Sequence, residues 1–241
     1  MWSSWVVVLI SVEQCKISYP AKAMEQFLQS VVRFNDGYSI SNFLGHKKSC
    51  NLEQNQIVIQ RFTCIDRELF GEINMHLFRS NIQRQPIVLE GRQFLVRDIK
   101  VQVGSSPYVH YYEGEQPSNE YTLKLNSPTI FKVGDKFIDE LHSILLFKNL
   151  ARKYAKNFGE QVPKEALKYM YQMQIEIVEE CKQSIILNGA RVTTFMGEYI
   201  LRPTQHLEWV NELLYFGNYV GIGLESQYGF GANKIQSTTI N

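Results

Sequence analysis

Cysteine is scarce and scattered in this 241-residue chain. Its four cysteines, Cys15, Cys50, Cys64 and Cys181, make no C-x-x-C pair, and no histidine stands at zinc-ligand spacing from them. A zinc module and a disulfide framework are therefore not expected, and reduced thiols are. Long apolar runs are missing too. The N-terminal run Val6–Ile10 is short and has no preceding Lys or Arg, so it reads as a buried strand rather than a signal-peptide core or a membrane span. Net charge is close to nil, with 25 Lys and Arg against 24 Asp and Glu. That excludes a histone-like basic tail but leaves room for a local basic groove. No compact Asp/Glu/His cluster, short-period repeat or low-complexity tract is visible, so no metal and no cofactor is expected. A membrane-free, cytoplasmic protein is the expectation.

What is present suits a globular core: hydrophobic residues make up 44% and charged residues 20%. Aromatics reach 12%, with 13 Tyr and 14 Phe, which favours strands and stacking surfaces. The length fits one large domain or two of about 100–120 residues.

Along the chain, Trp5–Val12 reads as a central strand. Tyr19-Pro20 opens a helix whose apolar residues (Ala23, Met24, Phe27, Leu28, Val31, Val32) recur at helical spacing. Tyr38–Asn55 has no period and reads as a loop with a short helical piece. Ile57–Ile65 and Glu72–Phe78 alternate, which predicts a hairpin turning at Arg67–Gly71. Arg79–Leu89 stays open because Pro86 breaks any long helix. Phe94–Val103 alternates with a slip, which predicts a bulged strand. The polar segment Glu113–Glu120 is the best linker. Beyond it come a strand at Tyr121–Leu125, a turn or extended break at Asn126–Thr129, and helical pieces at Phe137–Phe158 and Pro163–Met173. Strands follow at Glu176–Leu187 and Arg191–Phe195 around Asn188-Gly189. Tyr199–Leu201 prolongs the sheet, Gln205–Tyr215 is an amphipathic helix, and Ala232–Ile235 is a last strand. The order suggests an α+β protein of two tandem ferredoxin-like (βαββαβ) domains, residues 1–115 and 116–241.

The most specific segment is Gly217–Gly231. Within it Gly221-Ile222-Gly223 and Gly229-Phe230-Gly231 are separated by five residues. Glycines admit φ > 0 and close backbone approach, and free N–H groups can then face a phosphate. A dinucleotide fold needs a βαβ unit of about 30 residues around such a loop, and only ten residues follow Gly231.

With its G-hydrophobic-G, five-residue gap and second G-hydrophobic-G after the Trp209–Phe216 helix, the chain resembles the CRISPR-associated repeat-processing endoribonucleases. These are the Cas-six type of the repeat-associated mysterious protein superfamily. Leu125–Phe131 (LNSPTIF) and Phe195–Tyr199 (FMGEY) agree with the resemblance. One departure stands out: the gap, Leu224–Tyr228, carries no Lys or Arg where the family usually has one.

The resemblance implies metal-independent cleavage of CRISPR repeat RNA by 2′-OH attack, leaving a 2′,3′-cyclic phosphate and a 5′-OH. It places a catalytic histidine just after the first helix, where this chain has His46. An imidazole titrates near about 6.5 and serves either proton step near neutral pH. Lys47 or Lys48 would supply the neighbouring cation, and Tyr38 would orient or assist. Gly221, Gly223, Gly229 and Gly231, with Arg191, Arg202 and Lys153 as groove liners, are the RNA-binding candidates. CRISPR effector or adaptation proteins are implied as further partners, and family members occur as monomers or homodimers. The rival reading is a non-cleaving RNA-binding subunit that scaffolds a CRISPR effector complex.

Overall fold

A computed structural model describes residues 3–32, 38–44, 49–103, 117–187, 190–224, 231 and 233–237. The chain divides near residue 108 into two compact units.

The first unit begins with β1 (Ser3–Ser11). Its β-branched run suits a central strand, and Trp5, Val7 and Leu9 are buried on one face. A short β2 (Cys15–Ile17) leads to α1 (Pro20–Val31), which has proline in its first turn. The Glu90 carboxylate accepts from the N–H groups of Ser18 and Tyr19, 2.8 Å each, and holds the entry to this helix.

The segment expected to be a loop supplies two strands, β3 (Tyr38–Phe43) and β4 (Cys50–Leu52). β3 pairs with β5 (Ile57–Cys64), and β4 pairs with β2. β3 escapes a period-two reading because Tyr38, Ser39 and Ile40 are buried in succession.

The expected hairpin is also corrected. Residues Arg67–Gln83 form α2, with Asp66 as N-cap accepting from Glu68 and Leu69 N–H at 2.8 and 3.2 Å. Ile73, Met75 and Leu77 alternate in sequence, yet the buried set is Leu69, Ile73 and Leu77, spaced by helical turns, with Met75 exposed. Trp5 donates to Asn74 and stacks on Phe70 at 4.7 Å, which fixes α2 against β1.

β6 (Ile87–Leu89) and β7 (Arg92–Val103) follow. The expected bulge in β7 is present at Arg97, opposite Val8/Leu9, where the Asn81 amide donates to the Val96 and Arg97 carbonyls. All pairings are antiparallel, in the order β3-β5-β1-β7-β6.

In the second unit β8 (Tyr121–Thr129) runs through the expected break at Asn126. The break survives as a register shift, since Phe195 faces Thr129 while Gly197 faces Leu125. β9 (Phe131–Val133) and β10 (Lys136–Ile138) make a small ribbon, so the helix predicted from Phe137 starts later, as α3 (Ser143–Phe158). α4 (Lys164–Tyr171) follows, then the long antiparallel pair β11 (Ile175–Leu187) and β12 (Ala190–Leu201). α5 (Leu207–Val220) and β13 (Asn233–Ser237) end the unit.

Tyr154 meets Phe158, Phe216 and Trp209 at 4.7, 5.4 and 6.0 Å, an aromatic cluster that locks α3 to α5. The sheet order is β11-β12-β8-β13. The opening strand β8 thus lies between β12 and β13, which precede and follow α5, and in the first unit β1 lies between β5, which precedes α2, and β7, with β6 added at the edge beyond β7.

Candidate functional site

Two of the sequence segments that stood apart come together in the second unit. The glycine segment after α5 closes on the Pro128–Ile130 backbone of β8. Gly231 N–H donates to the Pro128 carbonyl at 2.9 Å and Leu224 N–H to the Ile130 carbonyl at 2.8 Å. Ile222 N–H donates to the Gly231 carbonyl at 2.9 Å, which pinches the two ends of the segment together.

Two of the glycines have no substitute. Gly223 has φ +87° and Gly231 φ +62°, and a Cβ built on them would lie 2.6 Å from the Ile130 carbonyl oxygen and 1.6 Å from that of Ile222.

α3 supplies the other side of this closure. Asn149 accepts from Gly223 N–H at 3.0 Å and donates to the Gly223 carbonyl at 3.3 Å. One turn on, the Lys153 Nζ donates to the Val220 and Gly221 carbonyls at 3.2 and 2.9 Å. These carbonyls end α5 and lack intrahelical donors, and the Lys153 N–H groups satisfy them. Asn233 Nδ2 donates to the Gly217 and Gly231 carbonyls at 2.9 and 3.3 Å. The described N–H groups of Gly221, Ile222, Gly223, Leu224 and Gly231 all donate inside the protein. The role visible for these glycines is to bring residues 221–224 and 231 together on β8; residues 225–230, Gly229 among them, lie outside the described residues.

Lys153 is a buried anchor at its ammonium end. Burial, with Arg152 adding to it, pulls that ammonium down to about 7 from the ordinary 10.5. Between these two values the unfolded chain holds a proton that the folded chain has released, so stability from this residue rises with pH. Lys153→Met, which cannot titrate, tests this. The stability of the wild type relative to the variant should grow by about 1–2 kcal/mol between pH 7 and 9.5, a figure reduced for solvent reaching the stem. Urea denaturation across that range checks it, and a flat or falling difference contradicts it.

The remaining candidates separate clearly. Arg202 donates from Nε to Glu120 at 2.7 Å and from a terminal nitrogen to Glu176, and these carboxylates, Glu176 foremost, hold its guanidinium above the usual range. Its charge is thus already answered. Arg191, near the start of β12, is exposed and has no ion pair among the described residues. Tyr38 is buried in the first unit, with its ring 5.9 Å from Phe62 and its hydroxyl donating to the buried Glu25 carboxylate at 2.5 Å. That bond ties the start of β3 to α1. His46, Lys47 and Lys48 lie outside the described residues.

Sequence reasoning missed Asn149 and Asn233. The signal was there in part, since Asn149 sits four residues before Lys153 and Asn233 two residues after the last glycine. Among the described residues no group of three His, Cys, Asp or Glu is placed to hold a metal ion, and no helix is long and apolar enough to cross a membrane.

Two antiparallel sheets, of five and four strands, that share the order of four of their strands, the second closed by a glycine segment on its opening strand, define an α+β class in which helices back both sheets. Residues 123–233, the span from β8 to β13, match the family model described as CRISPR-associated endoribonuclease Cas6. The curated CRISPR-associated endoribonuclease Cas6 of Mycobacterium tuberculosis (strain CDC 1551 / Oshkosh) is 21% identical over 136 residues, 54% of this chain. The match spans 43% of that relative's length, so the chain covers less than half of it. A solved Cas6 product complex superposes with TM-score 0.74 at 17% identity, over 98% of this chain and 100% of that one. Thermus thermophilus Cas6 gives 0.70 at 12% identity over 98% of both chains. The product of a Cas6-related gene from Pyrococcus furiosus gives 0.67 at 15% identity, over 98% and 99%. Over residues 123–233 the chain is thus similar to the Cas6 family endoribonucleases, and it shares the fold of the solved Cas6 structures.

Proposed function

We propose that this chain is an endoribonuclease that cuts CRISPR repeat RNA without a metal, acting in the cytoplasm on the repeat transcript. The observation that carries the reading is the family match over residues 123–233, which contains the whole glycine closure and its β8 and α3 anchors. Each unit is read as a ferredoxin-like domain, residues 1–115 and 116–241, on the strength of the repeated strand order.

The reaction needs three groups. The ribose 2′-oxygen attacks the adjacent phosphorus and gives up its proton to a base. The P–O5′ bond breaks, and the departing 5′-oxygen takes a proton from an acid. A cation faces the charge that builds on the non-bridging oxygens. The products are a 2′,3′-cyclic phosphate and a 5′-hydroxyl, and no water is consumed. His46 takes a proton-transfer role and Lys47 or Lys48 the cation role. Tyr38, buried on Glu25, is a positioning residue: it holds the strand that leads into the His46 segment.

In the second domain Lys153 and Asn149 anchor Gly221 and Gly223, Gly229 is a further RNA-binding candidate, and Arg191 is available to meet phosphate. Arg202 contributes there only by releasing Glu120 or Glu176. CRISPR repeat RNA is the partner, with effector or adaptation proteins as recipients of the product.

The test is incubation of end-labelled repeat RNA with the protein in EDTA. One cut per repeat, with a 5′-hydroxyl downstream and a cyclic phosphate upstream, is the expected result. Salt-sensitive binding with no cut would identify a scaffolding subunit instead. Absence of both would remove the RNA assignment.

A further inference from the structure

Within the second unit, a cavity of about 430 Å³ opens between the first turn of α3 and one face of α4. Ile144, Leu167 and Tyr171 give it apolar walls, and Lys164, Lys168 and Gln172 complete the lining. Its volume falls in the range of small-ligand sites, about 300–1,000 Å³. Ser143 Oγ donates to the Tyr171 carbonyl at 2.9 Å and braces the two helices that form it.

The chemistry of the lining is one-sided. Among the described residues no acidic one lines the cavity. Lys164 and Lys168 stand one turn apart on the same face of α4, a like-charge pair that costs the helix stability unless an anion answers it. Neither lysine has an ion pair among the described residues, and the acids just before α3, Asp139 and Glu140, are taken by Lys182 at 3.3 and 3.5 Å. The Tyr171 hydroxyl and the Gln172 amide have no hydrogen-bond partner among the described residues. Burial raises the Tyr171 phenol, which therefore stays a neutral donor. Ile144, half exposed at 50%, leaves apolar surface open to whatever enters.

A flat apolar ligand with an attached anion and hydrogen-bonding edges meets all of these demands. We propose that the cavity seats one nucleotide of single-stranded RNA, its base on Tyr171, Leu167 and Ile144 and its flanking phosphates on Lys164 and Lys168. Gln172 then bonds the base edge. This subsite rests on the RNA reading given above and extends it to a part of the transcript held away from the glycine loop's own α3 anchors, Asn149 and Lys153. An acidic peptide would answer the lysines but would leave the aromatic wall without a planar partner.

The probe is a fluorescein-labelled 2′-O-methyl 12-mer of uridine, which has no 2′-hydroxyl to cut, read by fluorescence anisotropy on the full chain. Lys164→Ala with Lys168→Ala, both exposed positions, should weaken binding about tenfold at 0.1 M salt. It should also flatten the log–log salt slope by about 1.4, or about 0.7 for each phosphate no longer neutralised. Tyr171→Ala should weaken binding about tenfold for want of a stacking surface, while Tyr171→Phe, which keeps the ring and loses only the hydroxyl donor, should weaken it by no more than about threefold. Thermal melts confirm that each variant folds.

Unchanged affinity and slope in the lysine variant would overturn the proposal. So would a wild-type chain that cuts repeat RNA yet ignores the 12-mer, which leaves the nuclease reading standing. A wild type that neither cuts repeat RNA nor binds the 12-mer removes both readings. Binding of a labelled hexaglutamate peptide that is abolished in the lysine variant, with the 12-mer unaffected, would assign the cavity to an acidic peptide and overturn the proposal.

Discussion

Replacing His46 by alanine is expected to slow cleavage of repeat RNA by about 10²–10⁴-fold, the usual worth of one positioned general acid or base. The loss should appear in kcat under single-turnover conditions in EDTA, with affinity for the RNA little changed, because an imidazole that moves a proton in the transition state adds little to ground-state binding. Lys47→Ala and Lys48→Ala separate the cation role. The lysine that faces the developing phosphorane charge should also cost kcat, and the other should cost only salt-dependent affinity. Tyr38→Phe offers a contrast of another kind. It deprives the buried Glu25 carboxylate of the 2.5 Å hydroxyl donor, so its cost falls on stability, about 1–3 kcal/mol, and kcat should stay within a small factor. A His46→Ala protein that cuts at the wild-type rate would contradict the assignment. Loss of kcat on Tyr38→Phe at unchanged stability would move Tyr38 from the positioning role to the reacting atoms.

Much of the architecture was legible because local pattern and tertiary demand agree. β1 is β-branched and sits in the middle of its sheet, α1 begins at a proline that suits a first turn, and the alternation in β7 slips at the residue that forms the bulge. The misreadings fall where one pattern satisfies two periods or none. Ile73, Met75 and Leu77 alternate like a strand, but Leu69, Ile73 and Leu77 also line one helix face, and the Asp66 cap settles the matter for the helix. Tyr38–Phe43 has no alternation because a run of its residues is buried together. At the candidate site the glycine segment and Leu125–Phe131 could each be singled out, but not their meeting, which joins residues about a hundred positions apart. In sequence Lys153 stands out only as a candidate groove liner, and nothing marks Asn149. Only the return of the chain after α5 turns them into anchors.

That closure also sets the second large effect. Gly231→Ala should destabilise the second unit by roughly 3–5 kcal/mol, at the upper end of what single substitutions cost, and lower the melting temperature by roughly 10 °C or more. Two penalties act together. The left-handed conformation at φ +62° costs an alanine about 1–2 kcal/mol. The new methyl would also lie 1.6 Å from the Ile222 carbonyl oxygen, so the backbone must move. Movement there breaks the bond from Gly231 N–H to Pro128, the bond from Ile222 N–H to the Gly231 carbonyl and the bond from the Asn233 amide, which together hold β13 and the loop base on β8. Gly223→Ala, with 2.6 Å to the Ile130 oxygen, should cost somewhat less. Gly159→Ala isolates the conformational penalty: it has φ +72° at the end of α3, yet its Cβ meets nothing within 4 Å, so about 1 kcal/mol is expected. If the three variants melt alike, the close approach of the two backbones is not what holds the loop. If they fall in the order given, the glycines are there for room as much as for φ, and RNA binding by the loop should decline in that same order.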